Sequence, residues 1–249
     1  MIPLQRCSVP GATQTLLTRW TTRVQEAGAT AQAAREQWTR ARAAKDQVKQ
    51  LLESMAHGAA RCMYCDDSRG TDIDHFQPLA QAPLRTFVWP NHLLACSHCN
   101  SNVKRDQYPL SADGSCLLVD PTADDPAEHL FLLLKSGEYG HHTDKGRETI
   151  RVFGLNRPDL VKGRQNAFIT ACAVLQRWHA LHQDGDPDAH RYAQALLESP
   201  FVDVVHTVTR IQPDRAAMIV DRQTLPALGP WRSLYEAGHI RRAEHTTAS

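Results

Sequence analysis

The sequence predicts a mainly α protein with a small cysteine-clamped finger inserted between helical segments. Three observations predict it. Residues 12–56 and the stretch from 147 onward carry helical periodicity. Residues 57–110 lose it and fill instead with Cys, His, Asp, Asn, Pro and aromatic residues. Four of the seven cysteines form two C-x-x-C pairs inside that middle segment, Cys62 with Cys65 and Cys96 with Cys99. The chain divides accordingly into an N-terminal helical arm at 1–56, a finger at 57–110 and a helical C-terminal region at 111–249.

The arm is nearly free of helix breakers. Apolar or small residues recur at Leu17, Trp20, Val24, Ala27, Ala31, Ala34, Trp38, Ala41, Val48, Leu52 and Met55, in alternating steps of three and four interrupted at Lys45. Gly28 and Thr30 divide this heptad-like stripe into two helices. Alanine-rich positions make a weak seam, so a free-standing coiled coil is not expected. The stripe packs on the body of the protein or docks a partner. After the finger, turn signals at Asp113-Gly114, Asp120-Pro121, Asp125-Pro126 and Gly137 frame an apolar run at 130–134, which reads as a strand or as a buried helical turn. Further on, Phe168, Ala171, Leu175, Trp178 and Leu181 share a helix face, a loop is expected at 184–188, and helices at 189–198 and 201–211. Gly154 ends one helix, and Asn156 caps the next, which has Pro158 in its first turn. Residues 243–249 read as a frayed end.

A chain of 249 residues suits one large domain or a domain with an appendage. The apolar fraction of 42% suffices for a core, and no run approaches the roughly 20 apolar residues of a membrane span. The opening residues lack the apolar region of a secretory signal, so a cytoplasmic location is expected. An odd cysteine count then disfavours a disulfide framework, and Cys7, Cys116 and Cys172 read as buried thiols. The net charge of +1 argues against indiscriminate coating of nucleic acid. Lys145, Arg147, Arg151, Arg157, Lys162 and Arg164, against Glu148 and Asp159, read equally as a solvated helix face and as a phosphate-backbone contact.

The chemistry lies in the finger. It runs Cys62-Met63-Tyr64-Cys65, then Asp72-Ile73-Asp74-His75-Phe76-Gln77-Pro78, then Trp89-Pro90-Asn91-His92-Leu93-Leu94-Ala95-Cys96-Ser97-His98-Cys99-Asn100, then Lys104 and Arg105. Two C-x-x-C knuckles can supply four thiolates to one tetrahedral ion. That donor set favours zinc and leaves no open position, so the site reads as structural. His98, between two ligands, is expected to face solvent or phosphate. Asp74-His75 is an acid followed by a base. Phosphodiester hydrolysis needs a base to activate water and a divalent cation to stabilise charge. His75 suits the first, while Asp74 and Asn100 offer oxygens for Mg²⁺ or Mn²⁺. On a regular strand Asp74 and His75 point to opposite faces, so a bend is expected there, and Asp72 shares the face of Asp74.

Taken together, D-H-F-x-P, W-x-N-x-L-L-x-C-x-x-C-N and Lys104 resemble the HNH, or ββα-metal, endonucleases. The resemblance implies His75 as general base, Asp74 and Asn100 as ligands of the catalytic ion, and Asn91 as the residue that ties the hairpin loop. The cysteines match the subgroup clamped by zinc. Asn replaces His as the third motif letter, a change common in that family. Further stretches are similar to the PtuB-like subfamily found in Septu and retron-linked anti-phage defence. They are Met1-Ile2-Pro3-Leu4 with Arg6 and Pro10, Leu118-Val119-Asp120-Pro121, 124–130, Gly146, Thr149-Ile150 and Gly154-Leu155-Asn156-Arg157. The similarity covers roughly residues 1–170.

The resemblance thus implies a ββα-metal finger carried by helices and an HNH endonuclease acting on DNA first and RNA second. Lys104 or Arg105 would hold the nucleic-acid backbone, and an ATPase would be the partner. One such site cuts one strand at a time, so a double-strand break calls for a homo-oligomer or successive nicks. Two other readings stand: a non-catalytic zinc module that binds nucleic acid, and a nuclease held inactive within an ATPase assembly. The second would use an exposed stripe at 12–56.

Overall fold

A computed structural model describes residues 1–237; the frayed end expected at 243–249 lies outside the described residues. The arm forms three helices, α1 Gly11–Glu26, α2 Ala31–Arg40 and α3 Arg42–Met55. The first break falls where expected. Gly28 and Ala29 take positive φ, and the Thr30 side chain caps α2 by accepting from the Ala33 N–H at 3.1 Å. The second break, at Ala41 (φ −82°, ψ 45°), carries no glycine or proline, and no sequence signal marks it.

Leu17, Trp20, Val24, Ala34, Ala41, Val48, Leu52 and Met55 of the stripe are buried, whereas Ala27 is exposed. They pack inward on the finger. Trp20 stacks on Phe87 with centroids 5.7 Å apart, and Trp38 lies 4.5, 5.3 and 5.5 Å from the rings of His75, Phe87 and His92. A stripe buried in this way offers no exposed seam to a partner.

The finger holds an antiparallel pair, β1 Asp72–His75 and β2 His92–Ala95, in the register Asp72–Ala95 to His75–His92. A wide π-helical turn, His98–Lys104, follows β2. Beyond it come α4 Pro126–His129, the hairpin of β3 Leu130–Leu133 with β4 Glu138–His141, and α5 Asp144–Phe153. The run at 130–134 is thus mainly strand. Its turn requires Gly137, at φ 73°, because a Cβ there would come within 2.4 Å of the Val161 carbonyl. α5 ends on left-handed Gly154, as expected. Asn156 does not cap the following helix. Its side chain brackets Tyr139, accepting from the backbone N–H and donating to the carbonyl, both at 2.8 Å.

The long helix α6 Pro158–Gln183 is the spine of the C-terminal region, with Leu160, Ala171, Leu175, Trp178 and Leu181 buried. α7 Asp188–Glu198, α8 Val202–Thr209, α9 Pro213–Ile219 and α10 Leu225–Glu236 complete it. Trp178 meets Trp231 of α10 edge-on at 5.2 Å. No helix among the described residues is long and apolar enough to cross a membrane. The basic cluster is largely neutralised from within. Lys145 pairs with Asp124, Arg147 with Asp144, Arg151 with Glu148 and Arg157 with Asp159, while Arg164 is buried against Asp203. Cys172 is buried as expected, but Cys7 and Cys116 are only half-buried.

Candidate metal centre and carboxylate site

The two knuckles come together. The sulfurs of Cys62, Cys65, Cys96 and Cys99 all lie within 4.8 Å of one another and are buried. Tetrahedral zinc about 2.3 Å from each sulfur requires sulfurs roughly 3.8 Å apart, and Cys65 and Cys96 stand at 3.9 Å. That spacing is far beyond a disulfide. The four-cysteine group fits a metal ion such as zinc. The Cys99 N–H also points at the Cys96 sulfur at 3.4 Å, which favours a thiolate there. Hydrogen bonding from Cys62 brings the Cys65 thiol down to about 6, whereas burial pushes Cys62 up. His98 is exposed beside this centre.

The first knuckle is anchored from a distance. Asp66, at φ 60°, accepts from the Phe201 N–H through its carbonyl and from the Asp203 N–H through its carboxylate, at 2.9 and 3.1 Å. Burial and the nearby Asp203 carboxylate push its own carboxyl up to about 7. On the other flank Arg6 donates to the carbonyls of Trp89, Pro90 and His92, each at 3.1 Å, and its guanidinium lies over the Trp89 ring.

Asn91, fully buried, ties the loop between the strands. Its Oδ1 accepts from the Gln77 N–H at 2.8 Å, and its amide donates to the carbonyls of Gln77 and Arg85 at 3.0 and 3.1 Å. His75 Nε2 and His92 Nε2 both meet the Thr86 carbonyl, at 3.0 and 2.8 Å. A carbonyl only accepts, so both rings carry their proton on Nε2 and keep the lone pair on Nδ1. Burial lowers His75 and, together with the neighbouring His75 ring, lowers His92 to about 3.

β1 stays regular through His75, and the bend expected at Asp74-His75 is absent. The two side chains accordingly meet different neighbours. His75 faces Trp38 and His92. Asp74 meets Lys104, whose ammonium donates to Oδ1 at 2.9 Å and to the His75 carbonyl at 2.7 Å. Its Oδ2 accepts from the Tyr64 hydroxyl. Lys104, expected on a phosphate, is fully buried, because the carboxylate draws it inward. Tyr64 was missed by sequence reasoning. It sits inside the first knuckle, stacks on Phe153 at 3.9 Å, and is kept protonated by burial and by Asp74. Asn100, half-buried, turns to Asp72 at a long 3.4 Å, joined by Ser101 at 3.5 Å. Arg105 is exposed, as a backbone contact needs.

By class this is a mainly helical protein with two small sheets, a buried four-cysteine group that could hold a metal, and a closed carboxylate beside it. The chain resembles the Septu protein PtuB of Bacillus mycoides (strain KBAB4). It is 28% identical to that protein over 149 residues, or 48% of this chain and 50% of the relative. It likewise resembles the Septu protein PtuB of Bacillus thuringiensis, at 27% over 123 residues, or 46% of this chain and 43% of the relative. The chain spans about half the length of these curated relatives. No family profile matches it, and no solved structure matches it. The expected similarity to PtuB-like proteins is therefore present.

Proposed function

We propose that the chain is an HNH-type nuclease that hydrolyses phosphodiester bonds, with DNA as its first substrate and RNA as its second. In this reading it is the effector of a bacterial anti-phage defence system, acts in the cytoplasm beside an ATPase partner, and carries its nuclease unit at 57–110 between the arm at 1–56 and the region at 111–249. The observation that supports the nuclease is the fixing of His75. Thr86 holds the ring by Nε2, burial keeps it neutral, and Nδ1 is left as the basic lone pair. This is the tautomer a general base uses. His75 directly follows Asp74, near the loop tied by Asn91 and the cysteine clamp, in the order the ββα-metal resemblance implies. The defence role and the ATPase rest on the similarity to Septu protein PtuB.

In this reading zinc on Cys62, Cys65, Cys96 and Cys99 is structural, since four thiolates leave no place for substrate. His75 takes a proton from water as the water oxygen attacks phosphorus, the P–O3′ bond breaks and the leaving 3′ oxygen takes a proton from solvent, while Asn91 holds the loop that carries Thr86 and Arg105 contacts the backbone. The Mg²⁺ or Mn²⁺ expected on Asp74 and Asn100 does not fit the arrangement as it stands. Both Asp74 oxygens are engaged, and Asn100 is turned to Asp72.

The closed Asp74 favours one second reading, a non-catalytic zinc module that binds nucleic acid. Wild type and His75→Ala incubated with plasmid DNA, single-stranded DNA and tRNA, with Mg²⁺, Mn²⁺ or EDTA, separate the two. Cutting by wild type that falls about 10²- to 10⁴-fold in the variant supports the nuclease. Binding without cutting by either, also after addition of the ATPase partner, supports the module.

A further inference from the structure

Asp74 and Lys104 form an ion pair at 2.9 Å with side chains 2% and 0% exposed. The second carboxylate oxygen is closed by Tyr64. A buried carboxylate needs a positive partner, and here the protein supplies one. Lys104 ends the π-helical turn His98–Lys104, which closes through the Arg105 N–H on the Asn100 carbonyl at 2.8 Å. Arg105 itself sits at φ 49°, ψ −120°, an unfavourable backbone for a residue with a Cβ. Wide turns and strained residues of this kind persist only where surrounding contacts hold them. At the start of the turn Cys99 belongs to the buried cysteine group, while Asn100 and Ser101 make only long contacts to Asp72. At its end stand the short contacts of Lys104 to Asp74 and to the His75 carbonyl. The segment is thus held at its start by Cys99 and at its end by the Lys104 ammonium.

We infer that Lys104 is a built-in counter-cation that keeps the Asp74 site closed, so that a divalent cation binds Asp74 only by displacing it. The inference rests on the nuclease reading and on the ligand role that the ββα-metal resemblance implies for Asp74 once its oxygens are freed. An ammonium and a divalent ion on one buried carboxylate repel strongly where water is excluded, so each weakens the binding of the other. The cation's apparent affinity is then its intrinsic affinity reduced by the fraction of molecules in which Lys104 has withdrawn. Neutralising Lys104 removes that reduction.

The test is Mn²⁺ binding to the zinc-loaded full chain, read by the electron paramagnetic resonance signal of free Mn²⁺. Wild type, Lys104→Met, Asp74→Asn and the double variant Asp74→Asn/Lys104→Met are compared. Lys104→Met is expected to bind Mn²⁺ at least about tenfold more tightly than wild type, from loss of the competing charge. Asp74→Asn and the double variant are expected to lose that site. Where Lys104→Met does not fold, Lys104→Gln carries the same expectation, since it keeps a donor to Asp74 without the charge. Affinity no higher than wild type in the neutral variant, or a gain that survives in the double variant, overturns the inference. Cleavage is scored separately on the same samples. Tight Mn²⁺ binding with no cleavage of any substrate would break the nuclease reading and leave the closure standing. Cleavage by wild type without any gain in the neutral variant would do the reverse.

Discussion

In one part of the finger, four cysteine sulfurs gather around a space that fits an ion. In another, Asp74 is closed by Lys104 and Tyr64, with no ion required. Both centres draw on the same short stretch of chain, and Tyr64 lies between two of the clamp cysteines while touching the carboxylate. Their requirements are opposite. Four buried thiolates need a positive charge among them, so an ion bound there would couple metal binding to folding. The carboxylate is satisfied by its own chain, so folding is complete without an ion and any ion arrives as a competitor. A metal centre of the first kind is a fastener; one of the second kind can be a switch.

The largest expected effect lies at the fastener. Removing zinc with a strong chelator, or Cys96→Ser, should abolish the near-ultraviolet circular dichroism of the finger, since structural zinc contributes on the order of 10 kcal/mol in small zinc domains. An unchanged spectrum after zinc loss would erase the distinction between the two centres. Next comes Lys104→Met, which strands a buried carboxylate and should cost about 3–5 kcal/mol in urea unfolding. The Asp74→Asn/Lys104→Met double variant should recover much of it, and a double variant as unstable as the sum of the singles would mean that the pair is not coupled.

Acid provides a third test, on the histidine side of the hairpin. His92 is held at about 3 in the folded state by burial and its neighbour His75, against roughly 6.5 when unfolded. The unfolded chain takes the proton first, so this contribution is whole above pH 6.5 and shrinks as pH falls, by about 3 kcal/mol at pH 4. His206, lowered to about 4 chiefly by burial, adds to the loss in the same window. Thermal melts of wild type and His92→Leu across that range should show a shallower slope for the variant. Equal slopes would assign the acid sensitivity elsewhere.

Tyr64→Phe, which takes a donor from a buried carboxylate, should cost about 1.5–3 kcal/mol. The smallest change is Arg105→Ala. It should shift stability by no more than about 0.5 kcal/mol, while in the nuclease reading it lowers the slope of nucleic-acid affinity against salt by about one ion.

The clamp was legible in the sequence because its signal is local: two C-x-x-C pairs can serve one ion whatever lies between them. The helices were legible from periodicity, including most of α6 and the break at Gly28 and Thr30. The break at Ala41 was not, since no residue there forbids helix. Lys104, expected from its place in the motif to hold the nucleic-acid backbone, is buried instead. Its burial depends on a carboxylate 30 positions earlier, and no local pattern encodes that. Tyr64 was hidden for a related reason, its partner being set by how the knuckle folds against β1. Asn91 was noticed through resemblance, and its bonds to Gln77 and Arg85 supply the physical account.

The anchoring of Asp66 by the backbone of Phe201 and Asp203 also bears on how the protein is made. During synthesis the cysteine segment emerges long before α8 exists. The first knuckle lacks this anchor until Asp203, 137 residues after Asp66, has emerged. A ribosome stalled before residue 200 would present a finger that can meet zinc but lacks this anchor.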